Sequence, residues 1–366
     1  MKYFLTLIQL WVGFLSICAS YPKANIWIIP SVESPQVYRN YAQTSKVHLE
    51  MARGEVEHIQ LVFPSKVNEE YRFTFDRYLK GIQISARELK KMNGYYDALV
   101  PFKNQLKCTD TLTAVWITVQ CPSRVPVGKY HQTIKIEGSK HFTIQLDYNV
   151  HHTTIPLKSS IPITVGVENR CMTEGLNDKE ADKERQRWVD FVLSYRMTPV
   201  FGTQITPERW QYEHSFSPWA WNDKRSIRLL NDRRYSCYML PFFTLSENEL
   251  ASLLCNIQKK GKLKESLFYI WDEPAYMEDY EQIKRKVNII RKYASDARIL
   301  TTFFCGPRSG PRKGDLYAVF DYLKHHIHVA TISLAPCKGN EEEVQHIRYK
   351  VPEGIDWWSY VCWQPG

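Results

Sequence analysis

The pattern of apolar residues changes once along this 366-residue chain, near residue 157, and that change limits the folds open to it. Before it come short runs rich in β-branched and aromatic residues, separated by turn residues: ANIWIIPS, KVHLEMARGEVEHIQLVFPS, TAVWITVQCP, GKYHQTIKIEG and HFTIQLDYNVHH. Apolar and polar residues partly alternate in HIQLVF and YHQTIKIE. That alternation predicts strands with one buried face, as in a β-sandwich. Gly128 in VPVGKY suits a turn with positive φ.

After residue 157, strand and helix alternate. PITVGVENR, PVFGT, YSCYMLPFF, SLFYIWDEP, ARILTTFF, VATISLAP and IDWWSYVCW read as seven strands. Between them, Asp178 to Arg196 predicts an amphipathic helix with Trp188, Phe191, Val192 and Tyr195 on one face. A second helix opens at Ser246 with a Ser-x-x-Glu capping box to Glu249. A third presents Tyr280, Ile283, Val287 and Ile290 at helical spacing. Near-continuous apolar strands between such helices imply a parallel sheet. The expected fold class is α/β plus all-β: a β-sandwich over residues 21–157, then a TIM-type (β/α) barrel over 158–366. A barrel needs eight strands and typically ~250 residues. The stretch from Pro162 is shorter and shows seven, so the barrel is expected to lack its eighth strand and to leave two sheet edges.

The first twenty residues, MKYFLTLIQLWVGFLSICAS, combine a basic start, an interrupted apolar run and a small-residue cleavage site. They predict a cleaved signal peptide at 1–20 and a secreted protein with no stable membrane span. Eight cysteines remain beyond it, and an oxidising compartment permits disulfides among them. Cys305 and Cys337 follow neighbouring strands and are the expected pair. No CxxC spacing occurs, so no zinc site is expected. The net charge of +9 is dispersed. Its densest run, Lys259 to Lys264, suits a helix C-terminus better than a nucleic-acid surface.

The chemistry-bearing motif is Asp272-Glu273-Pro274, where the fourth of these strands ends. It has two readings. Asp is a preferred N-cap and Pro a preferred first helical residue, so the motif could simply start a helix. Catalytic groups of barrels, however, stand at the C-terminal ends of strands. Glycoside hydrolysis commonly uses two carboxyl groups. Neighbours on a strand point in opposite directions, which suits a consecutive pair poorly as acid and base flanking one bond. The pair fits better where one carboxyl group transfers protons and the other steadies a substrate group that is itself the nucleophile. Trp357, Trp358 and Tyr360 could wall a sugar ring or pack sheet against helix. Trp358 and Tyr360 share a face and Trp357 takes the other. Asn169 and Arg170 could bind sugar hydroxyls or cap a turn. Trp219 and Trp221 lie in a long connection of the kind that often carries binding. His325, His326 and His328 read as a polar turn.

The stretches ARGEVEHIQLVF, VWITVQCPSRVPVGKYHQTIKI, FYIWDEP and WWSYVCWQPG, in this order and spacing, resemble glycoside hydrolase family 123 and related domains of unknown function. The resemblance runs from about residue 25 to the end. It implies a retaining exo-glycosidase acting on terminal β-linked N-acetylgalactosamine, with Glu273 as acid/base and Asp272 holding the 2-acetamido N–H. It requires no metal or cofactor. A secreted, catalytically inactive glycan-binding relative and a purely structural extracellular protein are the alternatives.

Overall fold

The computed structural model describes residues 25–76, 81–206, 211–274, 276–303, 322–334 and 341–360. The segment read as a signal peptide lies outside them. The chain divides into two units, residues 1–156 and 157–366.

The first unit holds ten strands. They are β1 (Trp27–Pro30), β2 (Lys46–Arg53), β3 (Val56–Pro64), β4 (Glu70–Phe75), β5 (Gln83–Met92), β6 (Tyr95–Pro101), β7 (Gln105–Lys107), β8 (Leu112–Gln120), β9 (Gly128–Glu137) and β10 (His141–Thr154). They form two five-stranded sheets, β1-β3-β8-β5-β6 and β2-β10-β9-β4-β7. Leu61, Phe63, Val115 and Ile117 of one sheet share a core with Phe73, Ile134, Ile144 and Leu146 of the other. Alternation is clearest in β9 and in β10 up to Val150, where every second residue is buried. Strands β4 to β7 add to the set expected from sequence. The β5–β6 hairpin turns at Asn93 and Gly94, both with positive φ, the signature of a two-residue turn.

Gly138 follows β9 and passes close to β4. A Cβ there would lie 2.5 Å from the Glu70 carbonyl oxygen and 2.7 Å from the Tyr71 ring.

The second unit begins with β11 (Thr164–Glu168), β12 (Thr198–Thr206) and β13 (Gln211–Ser215), one three-stranded sheet. Helices α1 (Asn169–Thr173) and α2 (Asp178–Ser194) lie between β11 and β12. Then come α3 (Lys224–Leu229), β14 (Tyr238–Met239), α4 (Glu247–Lys259), β15 (Ser266–Trp271), α5 (Met277–Tyr293), β16 (Arg298–Phe303), β17 (Val329–Ser333), α6 (Glu341–Arg348) and β18 (Asp356–Tyr360). Strands β14 to β18 pair in chain order, all parallel. The capping boxes of α2 (Asn177 with Glu180) and α4 (Ser246 with Glu249) are formed.

The parallel sheet is that of a half-barrel, and the expected TIM-type barrel is not confirmed. Among the described residues the strands form two separate open sheets, and no closed barrel is made. One reason lies in β13, an antiparallel strand paired to β12. Another is that the third strand expected, Tyr235 to Phe243, is a ladder of only two residues. Its later amides, Phe242 N and Thr244 N, are bound by the buried Glu213 carboxylate at 2.8 and 2.7 Å instead of by a neighbouring strand.

The five-stranded sheet has two unlike faces. Phe268, Ile270, Ile299, Phe303, Ala330 and Ile332 pack with Leu253, Leu254, Ile283, Val287 and Ile290 of the helices. The opposite face carries a smaller cluster of Leu267, Leu300 and Val329 with Val200, Cys237 and Met239. Tyr269 and Trp358 pack against it.

Gly138→Ala is expected to lower the melting temperature of the first unit by several degrees. The backbone carbonyl it meets cannot swing away, and overpacking of this kind costs about 1–3 kcal/mol. An unchanged thermal transition would show that the β4–β9 approach is looser than described.

Candidate active site

The two carboxylates directly follow strand β15, and its register decides where they point. Alternation places Leu267 and Tyr269 on the open face and Phe268 and Ile270 on the helix-covered face. Unbroken alternation would then put Trp271 on the open face and Asp272 behind it. The ladder to β16 slips instead: Tyr269 pairs with Leu300, and Trp271 with Thr301. Ile270 is the extra residue of a β-bulge, which re-aims the side chains that follow. Trp271 therefore joins the helix-side core and Asp272 emerges on the open face.

Glu273 then takes φ +44°, in the left-handed region that few non-glycine residues occupy. The bulge and the left-handed turn together bring consecutive carboxylates to one side. Simple strand alternation had predicted opposite sides.

The surroundings are specific. The Tyr269 hydroxyl donates to Asp272 Oδ1 at 2.5 Å, and Thr302 Oγ1 donates to the same oxygen at 2.8 Å. Thr302 Oγ1 also accepts the Glu273 N–H at 3.0 Å. The Tyr360 hydroxyl, from the end of β18, donates to Glu273 Oε1. Desolvation and the negative charge of Asp272 push the Glu273 carboxyl up from its ordinary range, and the Tyr360 hydrogen bond partly offsets them. Burial, reinforced by Glu273, raises the Tyr360 phenol well above its usual value, so it remains a donor.

Two groups were not legible in the sequence. His214, on β13, stands opposite Gly202, and its ring lies 4.2 Å from that of Tyr269. Burial pushes its imidazole down to about 4, so it is neutral at physiological pH. Thr302 is an ordinary residue of a buried strand. Only its register against β15 makes it a partner of the Asp272 carboxylate and of the Glu273 backbone N–H.

The other candidates divide. Tyr360 reaches Glu273, and Trp358 and Tyr269 each pack against the smaller cluster on the same face. Trp357 packs into the helix-side core under the Arg348 guanidinium, 5.8 Å from the ring centre, so it is no wall of this site. Arg170 is exposed in α1 and faces Glu174 at 3.9 Å. The side chain of Asn169 lies outside the described residues. Trp219 is buried, donates to Asp182 at 3.0 Å and carries Arg225 on its ring, so it braces α2. Trp221 is part of the same core. His328 accepts the Ile299 N–H at 3.1 Å in the turn before β17. The lysine run ends α4, as its charge suggested.

The helix-start reading of Asp272-Glu273-Pro274 is corrected. Helix α5 begins at Met277, and the Tyr276 N–H is bound by Asp279 Oδ2 at 2.8 Å. Glu273's left-handed backbone ends the strand, and among the described residues Asp272 caps no helix. The expected Cys305–Cys337 bond lies outside the described residues. Cys108, Cys121, Cys237 and Cys255 are free thiols. Among the described residues no helix is long and apolar enough to cross a membrane, and no group of three or more His, Cys, Asp or Glu could hold a metal.

His214 generates a pH prediction. Its folded value, about 4, lies below the ordinary 6.5, so the unfolded chain takes up a proton that the folded one refuses. Stability present above pH 6.5 is lost as pH falls toward 4. Denaturant unfolding across that range should show a steeper loss for wild type than for His214→Phe, and parallel curves would refute this.

No family model matches the sequence, and no curated protein matches it. Among solved structures, the chain is similar to a family 123 glycoside hydrolase from Clostridium perfringens, described in work on glycolipid glycan hydrolysis. Identity is 12%, the match covers 92% of this chain and 72% of that one, and the TM-score is 0.57. A family 2 glycosyl hydrolase from Bacteroides cellulosilyticus matches at 10% identity over 85% of this chain and 44% of that one, with a TM-score of 0.29, too low to support an argument. The resemblance carried by the four sequence stretches is thus met by a shared fold: this chain is built like the family 123 structure.

Proposed function

We propose that this protein is a glycoside hydrolase that removes terminal β-linked N-acetylgalactosamine with retention, using the substrate's own acetamido group as nucleophile. The observation that carries the reading is the pair of consecutive carboxylates turned to one face, each held by a different tyrosine.

In this reading Glu273 starts protonated, and its raised pKa favours that state. It gives its proton to the glycosidic oxygen as the bond from C1 to that oxygen breaks. The acetamido carbonyl oxygen attacks C1 from the other face, closing an oxazoline ring. Asp272 accepts the hydrogen bond of the acetamido N–H and stabilises the positive charge that develops there. Its Oδ1 is already bound by Tyr269 and Thr302, leaving Oδ2 for the substrate. Glu273, now ionised, takes a proton from water as the water adds to C1 and opens the ring. Two inversions give net retention. Tyr360 holds Glu273 in both states, and the face of Trp358 and Tyr269 offers an apolar platform for the sugar. Export from the cell, expected from residues 1–20, remains part of the proposal.

Turnover of an alkyl β-N-acetylgalactosaminide, whose poor leaving group needs a proton, tests the mechanism. Glu273→Gln is expected to lower kcat by roughly 10²–10⁴-fold. Asp272→Asn should lower it too, and the 2-hydroxy analogue should be inert. Full activity in Glu273→Gln would overturn the assignment. A wild-type protein that binds N-acetylgalactosamine without turning over its glycosides would establish the glycan-binding alternative.

A further inference from the structure

We propose that Thr302 is a positioning residue that locks Asp272 and Glu273 into one unit, an inference that rests on reading those two carboxylates as the working pair. Among the described residues it is the one side chain bonded to both residues. Its hydroxyl donates to Asp272 Oδ1 at 2.8 Å and accepts the Glu273 N–H at 3.0 Å. The Tyr269 hydroxyl oxygen lies 2.8 Å from Thr302 Oγ1. Tyr269 also donates to Asp272 Oδ1, so two hydroxyl protons converge on one carboxylate oxygen.

The anchor is stiff. Thr302 is 8% exposed and sits in the middle of the parallel sheet, paired with Thr331 of β17. A β-branched side chain on a strand has few rotamers, so its Oγ1 has little freedom. The groups it holds need such an anchor. Glu273 keeps a left-handed backbone with no glycine to ease it, and such conformations persist where the surroundings over-determine them. The Glu273 N–H leaves its own strand's ladder at the bulge and finds Thr302 instead. One hydroxyl therefore sets the rotamer of Asp272 and the turn that aims Glu273. The separation of the two carboxylates is fixed from β16, a different strand from the one they follow.

Thr302→Val removes the hydroxyl and keeps the shape, whereas Thr302→Ser keeps the hydroxyl and loses a methyl group. Thr302→Val is expected to lower kcat by about 10²-fold, the scale of a misplacement near 1 Å, with KM changed much less. Without the anchor Glu273 relaxes away from Asp272, and its carboxyl pKa falls toward the ordinary value. Activity needs protonated Glu273, so the high-pH limb of the kcat/KM profile should move to lower pH in Thr302→Val. Thr302→Ser should restore both the limb and most of kcat. A general loosening of the fold would lower the melting temperature without moving that limb. A Thr302→Val enzyme with an unmoved limb, or a serine variant that behaves like valine, would overturn the proposal. If the wild-type protein turns over no β-N-acetylhexosaminide, the functional reading fails on its own. The anchor is then read by NMR titration of ¹³C-labelled glutamate carboxyls. A lowered Glu273 pKa in Thr302→Val alone supports it, and identical titrations in all three proteins overturn it.

Discussion

One extra residue in strand β15 decides the character of the candidate site. A strand buried on both faces has no freedom to choose which side chains it shows, because alternation is fixed by the pleat. Inserting Ile270 against the β16 ladder reverses the alternation for everything that follows. Trp271 enters the helix-side core, and Asp272 is released to the other face beside Tyr269 and Thr302. The adjacent left-handed turn at Glu273 then adds the second carboxylate. Without the bulge the same tripeptide would turn an acid into the helix-side core, where burying a carboxylate is costly.

The rest of the second unit supports that arrangement. Helices α4 and α5 cover one face with leucine and isoleucine, which fixes the sheet. The opposite face is apolar low down, at Leu267, Leu300 and Val329, and polar at the strand ends, at Thr302, Ser333 and Tyr360. Strand β13 adds His214 against Tyr269, and the neighbouring Glu213 pins the loop after β14 through two backbone amides. Consecutive residues of one strand thus serve two ends, since Glu213 holds the scaffold and His214 faces the tyrosine that holds Asp272.

The electrostatics follow from the same geometry. Glu273 is kept from easy ionisation by desolvation and by a neighbouring carboxylate, and it is held by a phenol that does not itself ionise in the working range. His214 is kept neutral by burial. The site therefore presents an acid and neutral donors around Asp272, a distribution suited to meeting a developing positive charge on a substrate.

The sequence by itself determined the change of architecture near residue 157, the strands of the parallel sheet, the capping box of α4, and the position of Asp272-Glu273 at a strand end. These depend on local periodicity and capping chemistry, which a few neighbouring residues specify. It also placed Trp358 and Tyr360 on one face, because alternation in β18 is unbroken. Only the tertiary structure decided that both carboxylates face the same way, that Asp272 caps no helix, that Trp357 and Trp219 are packing residues, and that Thr302 and His214 matter. Each of these turns on register between strands far apart in the chain. A bulge is visible only against its partner strand, and a threonine becomes an anchor only when another strand delivers an N–H and a carboxylate to its hydroxyl.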